Sequence, residues 1–183
     1  MTFKFQGPLG DVIGNADLYG ALADRLAEGA ARFSEIAALP SFASLGAGAA
    51  LQAVCLLVNS GQVLPLPAIE TSDAAPAQRL NRVIAEKMLQ GRTYNFLAAP
   101  LVGSGIQATH TDLLMFHAVL AGQAASVEAM TRHVTAAMRH LGVNWLKDGQ
   151  AVTDPAETEA LVGADAEVFL AEKLPVWQRL GVV

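Results

Sequence analysis

The 183-residue sequence has little cysteine, little charge and no long uninterrupted apolar run. Its single cysteine, Cys55, excludes a disulfide framework and a cysteine-rich metal site, and it fits a reducing cytosol. No apolar run approaches the roughly 18 residues that a membrane-spanning helix requires, and residues 1–15 do not resemble a secretory signal peptide. We therefore expect a cytoplasmic protein that has no membrane partner.

Positive charge is scarce in the first half of the chain, where no Lys or Arg lies between Arg32 and Arg79. Residues 34–66 nevertheless follow the pattern of short helix, turn, longer helix and strand that is typical of a winged-helix module. A DNA-binding helix needs cations for phosphates and long polar side chains for base edges. The longer helix offers only Gln52 and Asn59, and the formal net charge is −5. We predict that this helix packs against protein and that the chain does not bind DNA.

Apolar residues make up 52% of the chain and charged residues only 16%, so a sizeable core can form. Much of the apolar content is alanine, which favours helices. The sequence predicts a mainly α fold, a winged-helix-like helical domain with short β hairpins. Residues 1–66 are the winged-helix-like module. Residues 67–183 are a helical part with hairpins at about 94–109 and 143–152, and we expect both parts to pack as one unit.

Caps, glycines and prolines place the boundaries of the predicted elements. Strands are predicted at residues 2–6 and 62–66, and a linker at residues 67–76. The first predicted helix covers about 18–28, with Asn15 or Asp17 as its cap, and the second is a short segment capped by Ser34. The third and fourth helices cover about 47–59 and 76–90. Two more run from Thr109 or Thr111 to Ala121 and from Ser126 to Gly142, and the last begins at Asp154 and has a kink or restart at Pro175. The third helix has one apolar face, made of Leu51, Val54, Cys55 and Val58. The inward residues of the fourth helix are Leu80, Val83, Ile84 and Met88.

A short glycine-rich segment, Gly103–Gly105, follows an apolar run and precedes a helix, as nucleotide- and S-adenosylmethionine-binding loops do. A Rossmann fold would also repeat strand and helix, yet the helix after this segment is followed by another helix. Pro100 would fall inside the central strand, where proline is disfavoured. A hairpin turn is therefore the preferred interpretation, and a small-molecule site that uses this loop with His110 is the alternative.

No other group of residues predicts catalysis or metal binding. His110 and Asp112 lie at a helix start, close enough in sequence to share a metal ion or a proton, but with His117 they are more typical of an exposed cap and a helix face. His133 and His140 are seven residues apart, too far for joint metal ligation. We assign no catalytic, cofactor-binding or metal-binding residue.

The predicted interaction site comprises Arg79, Arg82, Arg92, Tyr94 and Asn95. The first two residues lie near the start of the fourth helix, and the other three follow that helix. Such a grouping is also typical of an ordinary solvated surface. We interpret it as an interaction patch.

Several segments, spread over nearly the whole chain, match a family pattern. They are Phe3–Gly10, Asp17–Gly20 with Leu22 and Leu26, Glu35–Ala37, Leu56–Val63, Arg79–Arg82, Asn95–Pro100, Phe169–Pro175 and Leu180–Val182. Together they resemble the C-terminal winged-helix region of bacterial methyltransferases that carry a methyltransferase regulatory domain. That family includes proteins similar to bacterial protein-lysine methyltransferases.

The resemblance implies a non-catalytic domain that regulates a catalytic domain or helps to hold a protein substrate. In the family, a Rossmann-like domain binds S-adenosylmethionine, so the resemblance places this cofactor in a catalytic partner, in cis or in trans, and not in this segment. The family offers no catalytic residue to transfer. We expect an accessory part of a methyltransferase that is not itself an enzyme, and the apolar content is compatible with a homodimer.

Two alternatives stay open. The first is a small-molecule or S-adenosylmethionine-binding domain that uses the Gly103–Gly105 loop. The second is a winged-helix transcription regulator. It would need a basic face, which a dimer could assemble from Arg79, Arg82, Lys87 and Arg92.

Overall fold

The computed structural model describes residues 3–7, 10–67, 73–147 and 149–183. The fold is mainly α with short β hairpins, as the sequence predicts. Within the described ranges, no helix is long and apolar enough to cross a membrane. Three predicted segments fall partly outside these ranges: the strand at 2–6 at Thr2, the linker at residues 68–72 and the second hairpin at Asp148.

The chain divides into two compact units, Met1–Pro65 and Leu66–Val183. The first unit begins with an antiparallel hairpin, in which Phe3 lies opposite Gly14. Its elements are β1 Phe3–Gly7, β2 Gly10–Gly14, α1 Ala16–Ala27, α2 Phe33–Ala37, a 3-10 turn Pro40–Phe42 and α3 Gly46–Asn59. Helices therefore follow the hairpin directly.

Aromatic packing joins this hairpin to α1. The rings of Phe5 and Tyr19 are both buried, with centroids 4.7 Å apart. A Cβ atom at Gly14 would lie 2.5 Å from the Tyr19 ring, so only glycine permits this close approach. Asn15 caps α1, because its Oδ1 accepts the N–H groups of the next helical turn. The prediction of Asn15 as a cap candidate is confirmed.

α2 begins at a different cap from the one predicted. Ser34 lies inside this helix, and Arg32 occupies the cap position. The Glu35 carboxylate accepts the N–H of Arg32 at 2.9 Å and pairs with the Arg25 guanidinium at 2.9 Å. The hydrogen bond from Arg32 is the main cause that lowers the pKa of Glu35. The start of α2 is therefore bonded by the Glu35 carboxylate and not by the serine hydroxyl that was predicted.

The strand predicted at residues 62–66 is wrong. The N–H groups of Gln62 and Val63 both bond to the Leu57 carbonyl and so close the C-terminal end of α3. In this unit the hairpin precedes the helices, and residues 62–66 supply no strand after them. The winged-helix-like character of the unit stays a prediction.

The second unit packs helices around one central helix. Its elements are α4 Ala75–Met88, β3 Phe96–Ala99, a 3-10 turn Pro100–Val102, β4 Ser104–Gln107, α5 His110–Leu120, α6 Val127–Leu141, β5 Leu146–Lys147, β6 Gln150–Ala151, α7 Pro155–Val168, a π turn Phe169–Lys173 and α8 Leu174–Arg179. β3 pairs with β4 and β5 with β6, both antiparallel. Both hairpins lie inside the predicted ranges.

Side-chain caps start three of these helices where the sequence predicts them. Oxygens of Thr109, Ser126 and Asp154 accept main-chain N–H groups at the beginnings of α5, α6 and α7. α5 is buried on nearly all sides, as expected for a helix whose residues are mostly apolar. The rings of Phe116 on α5 and Trp177 on α8 meet edge to face at 5.8 Å. α5 therefore forms the centre of this unit's core.

A π turn connects α7 to α8 and ends just before Pro175. Proline has no N–H to donate to the preceding turn, so regular α-helical bonding must be interrupted near it. The predicted kink or restart at Pro175 is confirmed as this π turn. Its last residue, Lys173, turns towards the start of α5.

Candidate functional site

The orientation of α4 is fixed by one buried polar residue, Asn81. Its Oδ1 accepts the N–H of Ala98 at 2.7 Å, and its Nδ2 donates to the carbonyls of Ala98 at 2.9 Å and Val182 at 3.0 Å. The carboxamide thus satisfies both main-chain polar groups of Ala98 in the outer strand of the hairpin. Such directional bonds fix which side of α4 faces the core.

The buried side of α4 therefore consists of Asn81, Ala85 and Met88. Leu80 is 52% exposed and Val83 is 48% exposed, so the prediction that both point inward is wrong. Apolar periodicity misled the prediction, because a hydrogen-bonded asparagine displaced the larger side chains from the core side.

α3 shows a similar displacement of large residues. Its buried residues are Ala50, Ala53 and Leu57, while Leu51 is 52% exposed and Cys55 is also exposed. Alanines allow the α2 segment and the following 3-10 turn to approach α3 closely. We call the exposed residues Leu51, Gln52, Cys55 and Asn59 the α3 outer face. It has no charged residue.

The predicted interaction residues lie on α4 and in the connection to β3. Arg79, Arg82, Arg92 and Asn95 are exposed, and Tyr94 is half-buried against the core of the unit. On the surface of α4 both arginines lie to one side of Val83, and Leu80 lies to the other side. The exposed residues of α4 from position 79 onward are Arg79, Leu80, Arg82, Val83, Glu86 and Lys87, and we call them the α4 outer face.

This region concentrates positive charge in an acidic protein. Residues 79–92 contain four Lys or Arg residues and one acid, Glu86, a net charge of +3 in a chain of net charge −5. Among the residues that the structure describes, no carboxylate lies within ion-pairing distance of Arg79, Arg82 or Arg92. Their charges are therefore free to act on a partner.

The Gly103–Gly105 segment belongs to a hairpin, as predicted, but only its first residue lies at the turn. The 3-10 turn after β3 ends at Gly103, which has a left-handed φ of 68°, and Ser104 and Gly105 already belong to β4. The side chain of Phe96 lies beside Gly105 and is itself 60% exposed. The hairpin thus presents an aromatic ring on its outer surface.

Asp112 contacts Lys173 rather than His110. The buried carboxylate accepts the Thr109 N–H at 2.9 Å and the Lys173 ammonium at 2.6 Å, whereas His110 is exposed. Lys173 is the last residue of the π turn, and sequence periodicity did not predict that this turn brings the lysine to Asp112. The ion pair ties the start of α5 to the C-terminal helices.

His117 and His133 form a pair that the sequence analysis missed. His117 Nδ1 lies 2.8 Å from His133 Nε2 across α5 and α6, a hydrogen-bond distance that needs one proton between the two rings. Burial lowers both pKa values. For His117, the charge of His133 lowers the pKa further and Glu86 opposes that change. His140 is exposed and takes no part in the pair.

A groove with a volume of about 420 Å³ lies between α6 and the segment from residue 143 to residue 159. Arg132, Arg139, Asn144 and Thr153 are among its lining residues, none of which the sequence singled out. Over the ranges that the structure covers, no three His, Cys, Asp or Glu side chains are grouped to hold a metal ion.

No protein-family model and no solved structure matches this chain. It is similar to the uncharacterized protein sll1526 of Synechocystis sp., with 23% identity over 184 residues. The aligned region covers 100% of this chain and 35% of that protein. The chain thus spans about a third of the length of the curated relative that it matches.

Proposed function

We propose that this chain is a non-catalytic accessory region of an S-adenosylmethionine-dependent methyltransferase of the protein-lysine type, and that it works in the cytoplasm through protein contacts. It regulates a catalytic domain, in the same chain or in another, or it helps to hold a protein substrate. The cofactor belongs to that catalytic domain. This proposal combines the family resemblance with the surfaces of α3 and α4.

One observation carries the proposal: two helices expose large apolar side chains while smaller or polar ones face the core. Leu51 on α3 and Leu80 and Val83 on α4 are about half exposed, whereas Ala50 and Asn81 are fully buried. Single exposed apolar residues are normal, but residues grouped along one helix side are typical of protein contact sites. Leu80 and Val83 on α4 form such a group, and on α3 the exposed Cys55 lies one turn after Leu51. These surfaces support a role in protein binding.

The length of the relative supports an accessory role. The Synechocystis protein contains roughly twice as much further sequence as the part that aligns with this chain, since the alignment covers 35% of it. A region found within a longer protein can act on another domain of that protein.

Cys55 provides a direct test, because it is the only cysteine and lies on the α3 outer face. A photoreactive group attached to this thiol should capture a protein that contains an S-adenosylmethionine-dependent methyltransferase domain. Leu51→Asp should abolish the capture, because a charge would have to be buried in an apolar contact. Ile13→Asp is the matched control, since Ile13 is 73% exposed in the same unit.

Two results would contradict the proposal. The first is capture of proteins that contain no such domain, and the second is capture that Leu51→Asp leaves unchanged. Calorimetric titration of S-adenosylmethionine into the purified chain gives an independent check. We expect no saturable heat. Saturable binding would overturn the accessory role and favour a small-molecule site at Gly103–Gly105.

A further inference from the structure

We infer that the α4 outer face binds an acidic protein segment that also carries apolar side chains. This inference rests on the proposed function and names the chemistry of one partner. Its basis is the combination of exposed Leu80 and Val83 with the arginines at positions 79 and 82 on the same helix. Neither the family resemblance nor the relative assigns a role to this face.

The orientation of α4 makes this combination a fixed surface. Asn81 forms three hydrogen bonds to main-chain groups, so the helix cannot rotate to bury Leu80 or Val83 without breaking them. Leu80 and Val83 are therefore held in water, and their exposed apolar surface is unfavourable in the folded chain. A partner that covers these two side chains would gain binding free energy, because burial of apolar surface is favourable.

Charge complementarity selects the kind of partner. Arg79, Arg82 and Arg92 have no carboxylate partner among the described residues, and Lys87 bonds only to the neutral Gln90 at 3.1 Å. Four cations with one acid, Glu86, would attract a segment of Asp or Glu. Arginine is also enriched at the energetic centres of protein interfaces. The partner should thus pair carboxylates with these arginines and place apolar residues on Leu80 and Val83.

A nucleic acid fits the same face less well. Phosphates would satisfy the arginines, but they would leave Leu80 and Val83 in water. The chain as a whole carries a net charge of −5, which repels a polyanion beyond the immediate contact. A short acidic protein segment avoids this repulsion and also covers the apolar residues.

The test uses fluorescence anisotropy with the full chain and a designed helical peptide of alternating Glu and Leu clusters. We expect binding that weakens between about 50 mM and about 300 mM salt, because the contact is partly electrostatic. A peptide with Gln in place of Glu should bind about tenfold more weakly. The double variant Arg79→Glu with Arg82→Glu should lose binding. Arg139→Glu, on exposed α6 surface, should not.

A second variant separates the apolar contribution from the charge. Leu80→Ser with Val83→Ser should weaken binding of the Glu peptide at both salt concentrations, whereas the Gln peptide, which lacks the carboxylates, should bind the unsubstituted chain with little salt dependence. Because all four positions are exposed, these variants should fold, which circular dichroism verifies.

Three results would overturn the inference. They are equal binding of the Glu and Gln peptides, binding of duplex DNA or RNA that requires Arg79 and Arg82, and self-association in sedimentation that Leu80→Ser abolishes. Failure here is distinct from failure of the proposed function. If capture from Cys55 still yields a methyltransferase domain, only the partner chemistry of α4 is wrong.

Discussion

The outer faces of α3 and α4 agree in one property and differ in another. Both expose apolar side chains of similar exposure, Leu51 at 52% and Leu80 at 52%. The α3 outer face has no charged residue, whereas the α4 outer face carries three cations and one acid, Glu86, beside its apolar residues. α4 is also held by the side-chain hydrogen bonds of Asn81, while the buried residues of α3 in the described part of the chain, Ala50, Ala53 and Leu57, are all apolar. A helix fixed by directional bonds can hold charges in a set arrangement, as electrostatic recognition requires.

The largest expected effect comes from removing the bonds that fix α4. Asn81→Ala should lower the free energy of unfolding of the second unit by about 4 kcal/mol, because it leaves the N–H and C=O of Ala98 and the C=O of Val182 without their partner. Urea unfolding followed by tryptophan fluorescence measures this directly, since Trp145 and Trp177 both lie in this unit.

Gln78→Ala is the matched control for Asn81. It removes a single hydrogen bond, from Gln78 Nε2 to the Val183 carbonyl at 2.6 Å, at a half-buried position one helical turn earlier. We expect a loss of about 1 kcal/mol. Equal effects of the two substitutions would show that Asn81 does not determine the orientation of α4.

Within α3, two leucines should behave in opposite ways. Leu57 is buried, and Leu57→Ala should cost about 2 to 3 kcal/mol through lost apolar contact and a cavity. Leu51→Ala should change the stability by no more than about 0.5 kcal/mol, because Leu51 is half exposed. Hydrogen exchange of the α3 amides measures both variants. Similar losses would mean that Leu51 is part of the core and not of a binding face.

Helices α3 and α4 show which features of the fold could be predicted from the sequence. Local signals located their ends within two residues, since capping and glycine positions depend only on nearby residues. The direction that each helix faces was not predictable in the same way. Leu80 and Asn81 are adjacent, and only the strand supplied by residues 96–99 makes the asparagine the better core residue. Periodicity assigns apolar residues to the core and overlooks such a satisfied polar residue.

The candidate site was predictable only in part. The exposure of Arg79 and Arg82 follows from charge alone. The contacts of His117 with His133 and of Asp112 with Lys173 join residues that are 16 and 61 positions apart. Such pairs depend on how α5 packs against α6 and on the π turn before α8. No local pattern in the chain encodes either arrangement.

Acid should affect the two units differently. All four histidines lie in the second unit, and burial lowers the pKa values of His117 and His133. The unfolded chain therefore binds more protons than the folded one below the ordinary histidine pKa of about 6.5. The stability of this unit is complete above that pH and is lost as the pH falls towards the lowered values. The tryptophan-monitored urea midpoint should drop between about pH 7.5 and about pH 5.5.

The first unit should not respond over the same range. It contains no histidine, and hydrogen bonding lowers the pKa of Glu35, so its contribution is lost only below the usual carboxylate range. His117→Gln should flatten the pH dependence of the second unit, because it removes one of the two histidines whose pKa values burial lowers. If hydrogen exchange of the α3 amides changed with pH as much as the tryptophan-monitored urea midpoint does, the predicted difference between the two units would be wrong.

The smallest effect concerns the charges of the α4 outer face, and its sign is informative. Arg79 lies three residues before Arg82 on the surface of α4, and the neighbouring like charge disfavours it. Arg79→Gln should therefore raise the free energy of unfolding by about 0.3 to 0.5 kcal/mol at low salt, and the gain should vanish at high salt. Gln52→Ala on the uncharged α3 outer face should show no such salt dependence. A gain for Arg79→Gln would mean that folding does not require this charge, as we expect if the arginine serves binding. A loss of stability that persists at high salt would instead identify the arginine as part of the fold.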